Sequence, residues 1–240
     1  MAEFPLALVT GAAHRLGRAF ALSLARQGYA ILLHYHQGMQ DAYAAADEIR
    51  ALDRPVFLQP ADLTQPEGIQ TLLTLLDEIP HPLKVLVNSA AVMERADVSS
   101  LTAEAWDSTL DLNLRAPFLL AQAAAQRMTE GGLIVNVTDV AAQKSWSAFP
   151  AYTVSKAALE SLTRVLARAL APMIRVNAIA PGLVLHSDVV TSEQWDALVA
   201  RLPMRRAARL DEVTAALEYL LQNEYVTGQT LVVDGGYSLI

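Results

Sequence analysis

The chain has 240 residues, a formal net charge of −7 at pH 7 and no cysteine. The acidic balance argues against nucleic acid or an anionic membrane as a partner, and the lack of cysteine excludes disulfides, thiolate catalysis and cysteine-ligated zinc. The first five residues lack the basic region of a signal peptide, and no apolar run is long enough to span a bilayer. We therefore expect a cytoplasmic protein.

Short, nearly continuous apolar runs alternate with longer amphipathic stretches along the whole chain. The runs predict strands at 6–9, 30–35, 55–58, 83–87, 133–137, 174–179 and 230–233. The stretches predict helices at 16–27, 39–52, 65–78, 103–128, 152–170 and 211–221. This alternation predicts an α/β fold: one doubly wound, Rossmann-like domain over residues 1–240, with a seven-stranded parallel sheet and helices on both faces.

Glycines and polar residues cluster where the predicted strands end. In a parallel doubly wound sheet, ligands bind outside the carboxyl ends of the strands. The clusters lie at 11–17, 34–36, 62, 88–91, 139 and 181–182. Their positions predict one ligand site along that edge of the sheet.

The first strand runs into a turn that begins at Gly11 and leads to a helix near Gly17. Glycine permits a tight turn and a close approach between helix and strand, and the helix N-terminus offers N–H groups to a pyrophosphate. The turn predicts a dinucleotide site that includes Gly11, His14, Arg15, Leu16 and Gly17. Two glycines alone are also compatible with an ordinary strand-to-helix loop.

The second strand ends in His34, Tyr35 and His36, and no acidic residue follows before Asp41. NAD-binding units usually carry a carboxylate here for the ribose 2′-hydroxyl. A guanidinium such as that of Arg15 binds a 2′-phosphate instead. We therefore predict NADP(H) rather than NAD(H); the alternative is a surface arginine beside histidines that merely cap the strand.

Tyr152 and Lys156 stand four residues apart at the start of a predicted helix, so both side chains lie on one face. An ammonium beside a phenol stabilises the phenolate, and we expect it to lower the tyrosine pKa. Such a tyrosine can donate or accept a proton near neutral pH. The pair is common by chance, and its position after the fifth predicted strand is what indicates an active site.

These motifs together resemble the short-chain dehydrogenase/reductase family over essentially the whole chain. The matching residues are Thr10-Gly11…Gly17, Asp62-Leu63, Asn88-Ser89-Ala90-Ala91, Asn113, Tyr152…Lys156, Arg175-Val176-Asn177, Pro181-Gly182, Thr227-Gly228 and Asp234-Gly235-Gly236. The resemblance implies that Asp62 contacts the adenine and that Asn113 anchors a proton-relay water. It also implies cofactor contacts from Leu63, Asn88, Ser89, Ala90, Pro181, Gly182 and Leu183. It further implies a homotetramer packed through the helices at 103–128 and 152–170.

Three departures from the family pattern are similar to the pteridine reductase and dihydromonapterin reductase branch. Asp139 stands where the family usually has a serine, Arg15 replaces a glycine, and the second strand ends in His-Tyr-His. The resemblance implies an NADPH-dependent enzyme in which the aspartate is catalytic beside Tyr152 and Lys156. The alternative is that Thr138 replaces the serine and that Asp139 has no role.

Candidate substrate contacts are Met93, Trp146 and Phe149, together with Asp139. Many pteridine reductases stack the pterin on an aromatic residue where this chain has Val92 and Met93. Trp146 and Phe149 are candidates for the missing aromatic surface, although such residues also occur simply in cores and interfaces. We expect the segment at about 183–205 to close over a small-molecule substrate.

The sequence leaves three functions open, and none of them requires a metal. The first is NADPH-dependent reduction of a dihydropterin or dihydrofolate C=N bond, and the second is reduction of a ketone or 3-oxoacyl carbonyl. The third is an NADP(H)-sensing protein with a disabled site, which the presence of Tyr152, Lys156 and Asn113 argues against.

Overall fold

The computed structural model describes residues 4–186 and 190–240. Residues 187–189, within the segment predicted to close over substrate, lie outside the described residues. The bounds of the strands are β1 (Leu6–Val9), β2 (Ala30–Tyr35), β3 (Val56–Pro60), β4 (Leu83–Asn88), β5 (Gly132–Val137), β6 (Ile174–Pro181) and β7 (Thr230–Val233). They form one seven-stranded sheet in the order β3-β2-β1-β4-β5-β6-β7.

Every neighbouring pair in the sheet is parallel. The order reverses direction between β1 and β4, which creates the crevice where ligands bind in such sheets. The predicted seven-stranded parallel sheet is confirmed.

Helices cover both faces of the sheet. Their bounds are α1 (Arg15–Arg26), α2 (Met39–Arg50), α3 (Pro66–Glu78), α4 (Ala103–Leu110), α5 (Ala116–Arg127), α6 (Ala141–Lys144), α7 (Pro150–Leu170), α8 (Ser192–Arg201) and α9 (Leu210–Gln222). Buried side chains of α1, α2 and α9 share one hydrophobic cluster with the sheet, and those of α3, α5 and α7 share another. Within 4–186 and 190–240, no helix is both long and apolar enough to cross a membrane.

The prediction of one regular helix at 103–128 is wrong in the middle of that range. A π-helical segment, Asp111–Arg115, separates α4 from α5. Asn113 in this segment is fully buried, and its side-chain amide exchanges hydrogen bonds with the backbone of Val92 at 2.9 Å in both directions. Single π turns commonly mark functional sites. Here the wider turn accompanies the burial of a polar side chain that a regular amphipathic pattern does not reveal.

Candidate active site

A cleft of about 1200 Å³ opens along the carboxyl ends of the strands. Its lining includes most of the predicted site residues: Gly11, His14, Arg15, Leu16, Gly17, His34, Tyr35, His36, Asp62, Leu63, Ser89, Ala90, Met93, Asp139, Trp146, Phe149, Tyr152, Lys156, Pro181, Gly182 and Leu183. Asn88 and Asn113 are buried behind this lining. One cleft therefore brings together residues that are up to 172 positions apart in the sequence.

A hydrogen bond joins the side chains of Tyr152 and Asp139, which both line the cleft. Asp139 follows β5 and Tyr152 lies in the first turn of α7. The Tyr152 hydroxyl donates to Asp139 Oδ2 at 2.8 Å, and the backbone N–H of Ala141 donates to Asp139 Oδ1 at 2.8 Å. Both carboxylate oxygens of Asp139 are thus oriented by fixed donors, so the side chain is held for chemistry.

Burial dominates the electrostatics of this group. It raises the pKa of Asp139, although the hydrogen bonds from Ala141 and Tyr152 and the charge of Lys156 oppose that rise. It also raises the pKa of Tyr152 well above its usual value, and the neighbouring Asp139 adds to the effect. The expected fall in the pKa of Tyr152 is therefore wrong in direction, because burial and the neighbouring Asp139 raise that pKa.

Lys156 lies beneath Tyr152 and is 3% exposed. Its Nζ donates to the backbone carbonyl of Val137 at 2.8 Å and lies 5.6 Å from the centre of the Tyr152 ring. Burial lowers the pKa of Lys156 to about 8, against the opposing charge of Asp139. The pKa of this ammonium therefore lies close to physiological pH, so small changes in its surroundings change the fraction of Lys156 that is charged.

Asn113 is linked to Tyr152 through Ser155. Its Nδ2 donates to Ser155 Oγ at 3.0 Å, and Ser155 Oγ donates to the Tyr152 backbone carbonyl at 2.7 Å. Together with the bonds to Val92, these contacts link the π-helical segment, the chain after β4 and the start of α7. Asn113 is therefore a positioning residue in this structure.

The glycine turn is tight and leaves no room for side chains. Gly11 has φ +63°, and a Cβ on Gly17 would lie 2.1 Å from the Gly11 carbonyl oxygen. His34 Nδ1 accepts from the Gly11 N–H at 3.2 Å, and its Nε2 bonds to the Ala61 carbonyl at 3.0 Å. Burial lowers the pKa of His34 to about 4. His34 is therefore a neutral brace for the turn, whereas His36, two residues later, is exposed.

Arg15 reaches across the cleft instead of toward β2. Its backbone is left-handed, with φ +54°. Its guanidinium donates to the carbonyls of Leu185 and His186 at 3.1 and 3.0 Å. The side chain is exposed, so these bonds to the loop after β6 are open to competition from a bound anion.

Asp62 and Asn88 stand in two polar networks beside the half of the cleft that contains the glycine turn. Asp62 Oδ1 accepts from the N–H and hydroxyl of Thr64 at 2.9 and 2.7 Å, and these bonds lower its pKa although burial opposes them. Asn88 Nδ2 donates to Asn136 Oδ1 at 2.8 Å, and Asn136 Nδ2 donates to Thr163 Oγ1 at 2.9 Å. The second network ties β4 and β5 to α7.

One half of the cleft, beside Tyr152, is aromatic. Trp146 lies 6.3 Å from Phe149 and 6.0 Å from Tyr237, measured between ring centroids. Tyr237, in a 3₁₀ helix near the C-terminus, was missed by sequence reasoning. Trp195 of α8 also lines the cleft, and it belongs to the segment at about 183–205 that the sequence predicts to close over substrate. Lys144 holds Tyr237 in place by donating to its carbonyl at 2.9 Å and lying over its ring. No local pattern in the sequence brings these distant residues together.

Comparisons with known proteins agree with this geometry. Residues 11–238 match a family described as enoyl-(acyl carrier protein) reductase. The chain is 33% identical to the uncharacterized oxidoreductase YgfF of Escherichia coli, over 96% of this chain and 99% of that protein. It is 30% identical to the 3-oxoacyl-[acyl-carrier-protein] reductase FabG of Staphylococcus aureus, over 96% of each chain.

A solved structure is also very similar. It is the FolM alternative dihydrofolate reductase 1 from Brucella suis in complex with NADP. The two proteins are 35% identical with a TM-score of 0.93, over 99% of this chain and 96% of the other.

Proposed function

Because the chain belongs to the short-chain dehydrogenase/reductase family of oxidoreductases, we propose that it is an NADPH-dependent reductase of a dihydropterin or dihydrofolate C=N bond. We assign the whole span 1–240 to this one catalytic domain. The single observation that carries the proposal is the partly buried Asp139 carboxyl, which accepts a 2.8 Å hydrogen bond from the Tyr152 hydroxyl. A carboxyl in that position gives the site a second proton donor beside the tyrosine.

The residues of the cleft suit an NADP(H) molecule. No side chain caps the start of α1, which leaves its N–H groups for a pyrophosphate. The Thr64 bonds go to Oδ1 of Asp62, which leaves Oδ2 for the adenine amino group. Arg15 supplies donors for a 2′-phosphate, in exchange for its bonds to the loop after β6. When bound, NADPH supplies the hydride.

Tyr152 and Asp139 handle the proton that reduction consumes. Burial raises the pKa of both groups, so each keeps its proton to higher pH than it would in water. A C=N bond that is reduced gains a proton on nitrogen, and the Asp139–Tyr152 pair delivers it. Because the two groups share a hydrogen bond, they titrate as one coupled unit. Below pH about 8, the charged form of Lys156 lowers the cost of ionising Asp139.

A second candidate function is reduction of a ketone or 3-oxoacyl carbonyl. The similarity to the FabG reductase favours it. Tyr152 alone is a sufficient proton donor for a carbonyl oxygen, whereas Asp139 has no evident use in that reaction.

The test of the proposed function is a substrate screen that follows NADPH consumption. The panel contains dihydrobiopterin, dihydromonapterin, dihydrofolate and simple ketones. We expect kcat/KM for the best dihydropterin or dihydrofolate to exceed that for every ketone. Turnover of ketones alone would contradict the proposal and support the second candidate.

The predicted homotetramer remains a proposal, as does the cytoplasmic location. Exposed apolar side chains on the two predicted interface helices support the tetramer. Phe118 on α5 is 40% exposed, and Val154 and Val165 on α7 are 44% and 60% exposed. Sedimentation of the purified protein tests it, with a mass near four chains as the expected result.

A further inference from the structure

Arg95 stands at the mouth of the aromatic half of the cleft and is stacked on an aromatic ring. Its Cζ lies 5.2 Å from the centroid of the Phe149 ring. The backbone N–H of Ala96 donates to the Ala148 carbonyl at 3.1 Å, which holds this segment against the loop before α7. Phe149 in turn packs in one hydrophobic cluster with Tyr152. A single ring therefore separates Arg95 from the reactive tyrosine.

The positive charge of Arg95 is unpaired within residues 4–186 and 190–240. The described part of the chain gives Arg95 neither an ion pair nor a side-chain hydrogen bond, although the side chain is exposed and Glu94 lies beside it at the mouth. A guanidinium that stacks on a ring keeps its N–H edge free, and that edge matches a carboxylate in bidentate fashion. The stacked arginine is thus pre-oriented toward an anion.

A side cavity of about 280 Å³ adjoins the mouth. Glu94 and Arg95 line both this cavity and the main cleft. Its other walls are formed by Ala96, Ser100, Leu101, Thr102, Ala105, Thr109, Pro150 and Ala151. A substrate with its reacting ring beside Tyr152 therefore has room to extend past Phe149 toward Arg95.

We infer that Arg95 is a subsite for the carboxylate end of an extended substrate, so that the protein prefers a dihydropterin with an acidic tail, as in dihydrofolate, over a short neutral dihydropterin. This inference rests on the proposed function, because it assumes a pterin ring beside Tyr152. Phe149 would contact the linking part of the tail, and Arg95 would bind its carboxylate. The substrate class is thereby narrowed to dihydropterins whose tail carries a carboxylate that reaches Arg95.

The test measures equilibrium binding of folate and of biopterin to the protein loaded with NADP⁺, by quenching of tryptophan fluorescence. Trp146 and Trp195 line the cleft and serve as reporters. We expect Arg95→Ala to weaken folate binding about tenfold, the size of one lost charge-assisted contact, and to change biopterin binding less than about twofold. Arg95→Lys should give an intermediate loss for folate, because it keeps the charge and loses the planar fork.

Glu94→Gln is the matched control, since it removes the neighbouring charge of opposite sign. We expect it to leave folate binding unchanged or tighter. Unchanged folate affinity in Arg95→Ala, an equal loss for both ligands, or no folate binding by the wild type would overturn the inference. The proposed function fails on a different result, namely the absence of dihydrobiopterin and dihydrofolate turnover by the wild type.

Discussion

The Tyr152 hydroxyl and Asp139 Oδ2 are joined by a 2.8 Å hydrogen bond between the first turn of α7 and the end of β5. The opposite oxygen of Asp139 is fixed by the Ala141 N–H. Burial raises the pKa of both groups; Asp139 adds to the rise at Tyr152, and the hydrogen bond from Tyr152 opposes the rise at Asp139. The protonation state of each group therefore depends on the other. The predictions below follow from this coupling and from the residues that surround it.

Tyr152→Phe should lose most turnover while keeping its fold and its affinity for NADPH, because only a hydroxyl is removed. Lys156→Ala should lose turnover and also bind NADPH more weakly, since we expect the ammonium to hold the nicotinamide ribose. Steady-state kinetics and fluorescence titration with NADPH separate the two effects. Near-normal turnover in Tyr152→Phe would mean that the proton comes from elsewhere, with Asp139 the first suspect.

NADPH affinity should fall as the pH rises through about 8. Lys156 titrates near that pH, and its charged form is lost above it. The charge of Asp139 raises the pKa of Lys156, so Asp139→Asn should move the midpoint to lower pH. Titrations with NADPH between pH 6 and 10 measure both midpoints. A midpoint that does not move in Asp139→Asn would show that the two charges are not coupled.

NADPH should bind at least about tenfold more tightly than NADH, since a bidentate phosphate contact is worth upwards of about 1.4 kcal/mol. Arg15→Ala should remove most of this preference. Arg18→Ala is the control, because Arg18 lies one turn along α1 and pairs with Glu48. Fluorescence titration with both cofactors is the measurement, and an intact preference in Arg15→Ala would exclude Arg15 as the phosphate ligand.

His34 should make the protein less stable in acid. Its pKa falls from 6.5 to about 4 on folding. Between these two pH values, His34 is protonated in the unfolded chain and neutral in the folded chain. The free energy of unfolding should therefore decrease as the pH falls from about 6.5 toward 4, by roughly 3 kcal/mol from this group. His34→Gln, which can keep both hydrogen bonds, should flatten that decrease relative to His36→Gln in urea unfolding. Equal pH dependence in the two variants would contradict the assignment.

The sheet and most of the cleft were predictable because they follow from local patterns. The apolar runs of β1, β2 and β7 match the structure at both ends, and the turn at Gly11 lies where the glycines predict it. The positions of Tyr152 and Asp139 at element ends also follow from the alternation of strands and helices.

The features that the sequence did not predict depend on contacts between segments that are far apart in the chain. The π-helical turn at Asn113 is accompanied by its bonds to Val92, 21 residues earlier. Arg15 donates hydrogen bonds to carbonyls 170 and 171 residues away, and Tyr237 reaches the cleft from near the C-terminus. The net rise in the Tyr152 pKa depends first on burial, which spacing alone does not give.

The most direct test of the central claim is the steady-state turnover of Asp139→Asn and Asp139→Ser on the best dihydropterin and the best ketone. Asparagine keeps the size and shape of the side chain and cannot exchange a proton, and serine restores the usual residue of the family. General acid–base assistance is typically worth about a hundredfold or more. We predict that both variants lose dihydropterin turnover by about that factor, and that Asp139→Ser keeps or improves any ketone reduction. If both variants turn over dihydropterin as fast as the wild type does, the catalytic role of Asp139 is contradicted.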